Sequence, residues 1–330
     1  MSRAAAPLTL LIALVGGCAG GEVDRPAPSH ASDGGALPPD VPVTPLSLCT
    51  RAWEALCPAY RQCLPAIFAS EFDDDGDCVA RSAAQCVRLK WADGSRDTLL
   101  GEARCVRELP QPFACDALIE GLFAHTAALA DCVPPMGRRP DGAPCGYYVQ
   151  CASGTCHLAP GSSCGSCGPA AALGALCATT YDCEGGAVCV AARCVRLGQT
   201  GLLCSAAAPC NLENDCVAGG CVARAGEGAP CRVEAPFSSC APDLVCNAVA
   251  AVCERAGVAS DDGAACGLLP SGGFALCPPG RGCRLAGPSG VCVRLPADGE
   301  PCDPTLGNAC VFGSACTSGR CARVDPRSCE

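Results

Sequence analysis

Residues 174–221 read GALCATTYDCEGGAVCVAARCVRLGQTGLLCSAAAPCNLENDCVAGGC, and this stretch decides the fold class. It contains the same four-cysteine frame twice, 27 residues apart: Gly-x-x-Cys, five residues, Cys, five residues, Cys, four residues, Cys. A repeat at that period is the signature of an array of small units. The frame recurs three more times downstream, so that five units begin at Gly174, Gly201, Gly228, Gly263 and Gly299 and are called units 1 to 5. Their cysteines are Cys177, Cys183, Cys189 and Cys194, then Cys204, Cys210, Cys216 and Cys221, then Cys231, Cys240, Cys246 and Cys253. Unit 4 has Cys266, Cys277, Cys283 and Cys292, and unit 5 has Cys302, Cys310, Cys316 and Cys321. The second-to-third gap is five residues in all five units, whereas the outer gaps vary. A fixed centre with variable flanks implies one geometry with loops inserted outside it. A degenerate unit precedes them over residues 136–173, opening at Gly142 and carrying Cys145, Cys151, Cys156, Cys164 and Cys167.

Such units cannot fold on burial alone. Ordering 27 residues costs on the order of 40 kcal/mol at ~1.5 kcal/mol per residue. Only four aromatic residues serve residues 174–330. Crosslinks replace the missing core, each constraining the unfolded chain by ~2–4 kcal/mol. The last two cysteines of unit 1 lie in Ala187–Val190 and Ala192–Val195, which suggests a two-stranded hairpin. First-to-third and second-to-fourth pairing is the expectation, although sequence alone does not fix connectivity.

Residues 47–135 have a different texture. Their eight cysteines, at 49, 57, 63, 78, 86, 105, 115 and 132, are widely spaced. Trp53, Leu56, Tyr60, Leu64 and Ile67–Phe68 recur at helical steps, with Pro58 and Pro65 expected to break the run. Asp77–Leu89, Thr98–Leu109 and Phe113–Ala130 are further helix candidates. The expected fold class is therefore small and disulfide-rich. An α-helical eight-Cys domain is followed by an array of four-Cys repeats with little regular secondary structure.

The whole chain supports this class. It has 330 residues and 35 cysteines, above the ~8–10% that marks a disulfide scaffold. Its formal charge of −10 argues against a nucleic-acid partner. Residues 1–17 have a positive start and an apolar run of about 12 residues, the layout of a signal peptide and too short to span a bilayer. The run ends Leu14-Val15-Gly16-Gly17-Cys18. Residues 18–46 then read as a flexible tether rich in Pro, Gly and Ser, with an expected span of ~30 Å. Setting Cys18 aside leaves an even 34 cysteines. Eight in the helical part and twenty in the repeats are each even. The five at 145–167 leave one over, and Cys329 is its natural partner.

The Leu14–Cys18 stretch resembles a bacterial lipobox, which implies lipidation of Cys18. Ala19 after the cysteine then favours the outer membrane. The repeats resemble the Dickkopf N-terminal cysteine-rich type of module and, more loosely, epidermal-growth-factor-like repeats. Together these features resemble cysteine-rich lipoproteins of bacterial cell envelopes. That resemblance implies a lipid-anchored location, contact with the membrane through the anchor, and a protein or polysaccharide ligand.

Chemical constellations are sparse. Cys164-Gly-Ser-Cys167 has the spacing of a redox dithiol but sits among other cysteines, so a structural disulfide is expected. Glu71, Asp73 and Asp75, with Gly76, fit the first half of a calcium loop. Position 12 is Ser82, however, and the alternative is an acidic helix N-terminus. Arg196, Arg224, Arg255, Arg294 and Arg323 each follow a unit's last cysteine, either as a ladder facing acidic polymers or as a solvated edge. No metal, cofactor or catalytic set is expected. The functional expectation is a non-catalytic surface lipoprotein carrying a stiff array outward from a helical base. The alternatives are a protease-inhibitor-like protein, with loops Pro236–Ser239 and Leu268–Ala275 as contact segments, and an enzyme.

Overall fold

The computed structural model describes residues 43–330, except 97, 110–114, 116–134, 159–161, 163, 179–181, 185–186, 199–200, 206–208, 212–213, 234–238, 304–309, 324 and 330. The signal segment, Cys18 and most of the Phe113–Ala130 candidate thus lie outside the described residues.

Four helices open the described chain: α1 (Pro45–Cys63), α2 (Pro65–Glu71), α3 (Asp75–Lys90) and α4 (Leu99–Glu108). Their starts are written in the sequence. Thr44 and Ser47 cap α1 reciprocally, the Thr44 hydroxyl accepting from the Ser47 N–H at 3.1 Å and Ser47 Oγ accepting from the Thr44 N–H at 2.9 Å. The Asp74 carboxylate accepts from Asp77 N–H at 2.8 Å to start α3, and Thr98 Oγ1 accepts from Gly101 N–H at 3.0 Å to start α4. Pro58 does not break α1 as expected; it lies inside the helix on an exposed position. Disulfides Cys49–Cys86 and Cys57–Cys78 hold the helix against α3 on either side, and this packing outweighs the lost hydrogen bond. Pro65 does mark a break, standing at the first position of α2. Cys63–Cys115 adds a third crosslink, and Cys105 is also oxidised.

The buried core of this region is Trp53, Tyr60, Leu64, Phe68 and Phe72 with Cys49, Cys57, Cys78 and Cys86. Tyr60 meets Phe68 edge-on at 5.9 Å and Phe72 at 6.3 Å. Much of the chain's small aromatic content is spent here, where helices have side chains large enough to interlock.

The rest of the described chain is short strands in disulfide units. Each of units 1 to 5 holds a hairpin whose facing residues include its third and fourth cysteines: Cys189 opposite Cys194, Cys216 opposite Cys221, Cys246 opposite Cys253, Cys283 opposite Cys292 and Cys316 opposite Cys321. The disulfides run first-to-third and second-to-fourth, as expected. Units 1 and 2 have Cys177–Cys189, Cys183–Cys194, Cys204–Cys216 and Cys210–Cys221. Units 3 and 4 have Cys231–Cys246, Cys240–Cys253, Cys266–Cys283 and Cys277–Cys292. Unit 5 has Cys302–Cys316 and Cys310–Cys321. The degenerate unit has Cys145–Cys156, Cys151–Cys167, and Cys156 opposite Cys167 across its strands. It shares the pairing of the array, but its middle gap is four residues instead of five and it has one extra cysteine, Cys164, before its last strand.

The invariant glycine also has a structural role. In unit 1 the Gly174 N–H donates to the Cys194 carbonyl at 2.8 Å, and the Cys194 N–H donates back to Ala175 O at 3.0 Å. The same Gly N–H bond recurs from Gly142, Gly201, Gly228, Gly263 and Gly299 to the last cysteine of each unit. All six glycines have positive φ, between 75° and 83°, a conformation in which Cβ is penalised. The Gly-x-x-Cys segment is therefore stitched to the hairpin, through a single bridge in units 1, 2, 3 and 5 and as a strand in unit 4 and the leading unit.

Units join through the residue four positions after each last cysteine. Ala171, Gly198 and Ala225 each make a parallel bridge to the second cysteine of the next unit, Cys183, Cys210 and Cys240. Each of the three linking residues both donates and accepts; Gly198, for instance, donates to Pro209 O at 2.8 Å and accepts from Asn211 N–H at 2.7 Å. The joint in front of unit 5 differs. The residue at the linking position before unit 5 is Pro296, which has no N–H to donate. It keeps the accepting half alone, from Val311 N–H at 3.1 Å. Cys310 itself is buried and bonded to Cys321, so its place within unit 5 is regular and only the joint in front of it is weakened.

The array does not extend away from the helices as expected; it returns to them. Cys329, beyond unit 5, is bonded to Cys164 of the leading unit, 165 residues earlier. The expected Cys329 partner thus lies at 145–167. The leading unit touches the helical region through Gln150 Nε2, which donates to Asp93 O at 2.8 Å. Unit 3 reaches it through Asp243 and unit 5 through Phe312, whose ring lies 5.3 Å from that of Phe72. Both ends of the array thus rest on the helices, because those helices carry the largest apolar cluster of the described residues for the units to dock on.

Candidate functional site

The densest set of chemically distinctive groups lies where units 3 and 5 meet α1, α2 and α3. Tyr60 Oη donates to Glu71 Oε2 at 2.9 Å. Burial is the main cause that raises the Glu71 carboxyl to about 7, against the smaller opposing pull of Tyr60 and Arg81. Burial, and then the Glu71 charge, push the Tyr60 phenol well above its ordinary range. Arg81 donates to the Glu71 carbonyl at 2.8 Å and to Asp77 Oδ2 at 3.0 Å. Its guanidinium also lies over the rings of Phe72 (5.2 Å) and Phe312 (4.7 Å), a cation–π bridge between α3 and unit 5.

On the other side of the junction, Asp243 accepts from Ala66 N–H and Ile67 N–H at 3.1 Å each, which caps α2. Leu64, the residue before α2, supplies no side-chain cap of its own. Asp243 has φ +68°. It stands third after the second cysteine of unit 3, where the leading unit, unit 4 and unit 5 have Gly154, Gly280 and Gly313, all with positive φ. Asp tolerates that conformation better than most residues. Unit 3 thus uses a left-handed position of the repeat to aim a carboxylate at a helix end. Desolvation is the main cause that raises the Asp243 carboxyl, against the bonds from Ile67 and Ala66.

This arrangement gives the side chains of Glu71 and Asp75 different partners. Glu71 ends α2 and is committed to Tyr60, Asp75 begins α3 and pairs with Arg61 at 3.0 Å, and Asp73 is exposed. The acidic run is a helix boundary, with Asp74 as the cap. The arginines after the last cysteines are not one outward ladder either. Arg255 pairs with Glu227 at 3.2 Å, Arg294 with Glu300 at 2.9 Å, and Arg323 with Asp298. Each partner lies next to an invariant glycine, so these pairs brace the Gly-x-x-Cys segment against the hairpin. Arg224 Nε donates to Asn214 O at 3.2 Å, and Arg196 is exposed.

Cys164 and Cys167 belong to different disulfides, so the C-x-x-C spacing holds no dithiol. Several cysteine trios, such as Cys177, Cys183 and Cys194, bring their sulfurs within 4.8 Å. Metal binding needs thiolates, and every cysteine among the described residues is disulfide-bonded. His157 Nδ1 faces Asp182 Oδ1 at 2.9 Å and its Nε2 faces Pro169 O at 3.0 Å. Both partners are hydrogen-bond acceptors, so each ring nitrogen is committed to this contact and neither is aimed at a nucleophile. This pair joins the leading unit to unit 1. The segment Leu268–Ala275 is pinned rather than presented: Ala248 N–H donates to Gly272 O at 2.8 Å, and Phe274–Leu276 lies within a sheet. Most of Pro236–Ser239 lies outside the described residues.

A different surface is open. Leu176 and Leu203 precede the first cysteine of units 1 and 2 and are 72% and 87% exposed; Leu202 is 55% exposed. Residues 176–223 match the family model of a domain of unknown function, DUF7107. That match covers units 1 and 2, the pair with identical spacing. No curated protein and no solved structure matches the chain. Among the described residues, no helix is long and apolar enough to cross a membrane.

Proposed function

We propose that this chain is a non-catalytic, lipid-anchored envelope protein that holds a closed disulfide scaffold off the membrane and binds a protein or polysaccharide partner. Cys18 is the acylated residue, residues 18–46 are the tether, and residues 47–135 form a helical eight-Cys domain. The units are modules of Dickkopf N-terminal-like type. The observation that carries this reading is the return of the array onto the helices through Cys164–Cys329, Asp243 and Phe312. It favours a rigid display body over a set of movable catalytic parts. Disulfide density of this kind belongs to oxidising compartments. The titratable groups at the junction are bonded to one another, which fits support better than turnover. The contact face is the rim of units 1 and 2, where exposed leucines occupy the same repeat position.

The deciding experiment is intact mass of the native protein with thiol alkylation before and after reduction, followed by fractionation of the Cys18→Ser variant. Acyl mass on Cys18, no free thiols, and release of the variant from the membrane support the reading. Absence of acylation removes the anchor. For the contact face, Leu176→Ser/Leu203→Ser is expected to lose the protein or glycan bound by the wild type, with an unchanged disulfide map. Equal binding by the variant places the contact elsewhere.

A further inference from the structure

We propose that the Glu71 carboxyl is a pH-sensitive catch on the closure of the array over the helices, seated when neutral and releasing the unit 5 contact when ionised. This rests on the fold and is independent of the envelope reading.

The argument begins with what surrounds the group. From α1, Tyr60 donates to Glu71 Oε2 at 2.9 Å. From α3 comes Arg81, which bonds the Glu71 main-chain carbonyl and shares its charge with Asp77 at 3.0 Å. From unit 3, the Asp243 carboxylate adds negative potential at Tyr60, with Arg255 partly offsetting Asp243. The neighbouring apolar groups are Phe68 and Phe72. A neutral carboxyl is satisfied here by one phenol. An ionised one has a single side-chain donor, Tyr60, and its strongest available compensation is Arg81.

Arg81 is the group that joins α3 to unit 5, lying over both Phe72 and Phe312. Drawing its guanidinium toward an ionised Glu71 side chain takes it off the Phe312 face. Hydrating Glu71 instead means opening the α2 corner against which Phe72 and Phe312 pack. Both routes weaken the same contact. Burial has raised the carboxyl to about 7 in the closed form. A group raised in the closed state favours closure at low pH and loses that contribution as pH rises through the raised value. From 4.5 to about 7, the closed-to-open ratio falls by up to about 300-fold across that window.

The test is hydrogen exchange on the full oxidised chain at pH 5.5 and 8.5, corrected for intrinsic exchange. Peptides covering Ala66–Phe72 and Val311–Thr317 are expected to lose protection at pH 8.5, with the hairpin of unit 1 unchanged. Glu71→Gln keeps an acceptor for Tyr60 without the charge and is expected to stay protected at both values. If that variant does not fold, the wild-type comparison decides alone, since equal protection at the two pH values overturns the proposal. Retention of the full pH effect in Glu71→Gln overturns it as well.

Discussion

Asp243 caps a helix that begins near Ala66, 177 residues earlier in the chain, its Oδ1 accepting the Ala66 N–H at 3.1 Å. The disulfide array therefore completes the helical region as well as following it. Asp243→Gly restores the residue found at the matching position of the leading unit and units 4 and 5. It is expected to relieve the left-handed backbone locally but to lose the cap, with a net cost of about 1 kcal/mol. Asp243→Asn should keep most of the bond. Hydrogen exchange at Ala66 and Ile67 reads both: faster in the glycine variant and near wild type in the asparagine variant.

The closing disulfide is testable apart from the units it joins. Each unit keeps two internal crosslinks when Cys164 and Cys329 are both replaced by serine. The double variant is expected to retain the hairpins and lose the closure, at ~2–4 kcal/mol. The other crosslinks already shorten the loop, so the 165-residue separation overstates the entropy involved. Limited proteolysis should cut the tail after Arg323 in the variant before it cuts any hairpin. An unchanged digestion pattern would show that Phe312 and Pro326 hold the end without the bond.

Lys90, the chain's single lysine, meets Glu102 at 2.5 Å, and the Glu102 side chain is only 3% exposed. This pair joins the end of α3 to α4. Lys90→Met leaves a buried carboxylate without its cation, at an expected cost of ~3–5 kcal/mol. The double change Lys90→Met/Glu102→Leu should recover most of that loss. Thermal unfolding under non-reducing conditions distinguishes the two.

The hairpin turns give a prediction of opposite sign. Turns of two residues need positive φ at both central positions. Units 2 and 5 place Gly219 and Gly319 at the second position, but unit 1 has Ala192, at φ 60°. Ala192→Gly is expected to stabilise unit 1 by up to about 1 kcal/mol, seen as slower exchange at the Cys189–Cys194 pair. No change would mean that the two disulfides already hold the turn without regard to its local strain.

The cysteine frame was legible because spacing is a local property. Five equal middle gaps implied one geometry, and an odd count at 145–167 implied a long-range bond to Cys329, although only the structure names Cys164 as its partner. Equal spacing did not extend to the joints: Cys310 pairs within unit 5 as the others do, but Pro296 in front of it supplies half of the usual link. The caps Thr44, Asp74 and Thr98 are likewise short-range, each accepting from a backbone N–H three residues on. Pro58 misled because helix-breaking tendency is local and two disulfides overrode it. The acidic run at 71–77 resembled a ligand loop because sequence proximity says nothing of side-chain direction; a helix boundary sends Glu71 and Asp75 to different partners.

By itself, the sequence determined the units and the helical segments, set by neighbours within about 30 residues or by counting, and left their internal pairing as an expectation that the structure bears out. Only the tertiary structure decided where the array goes. Asp243 on α2, Arg81 between Phe72 and Phe312, and the raised Glu71 carboxyl depend on contacts between segments more than 150 residues apart or on burial that those contacts create. The physical reason is that the units lack an apolar core of their own and close on the one the helices provide, and no local pattern records which residues that closure will bury.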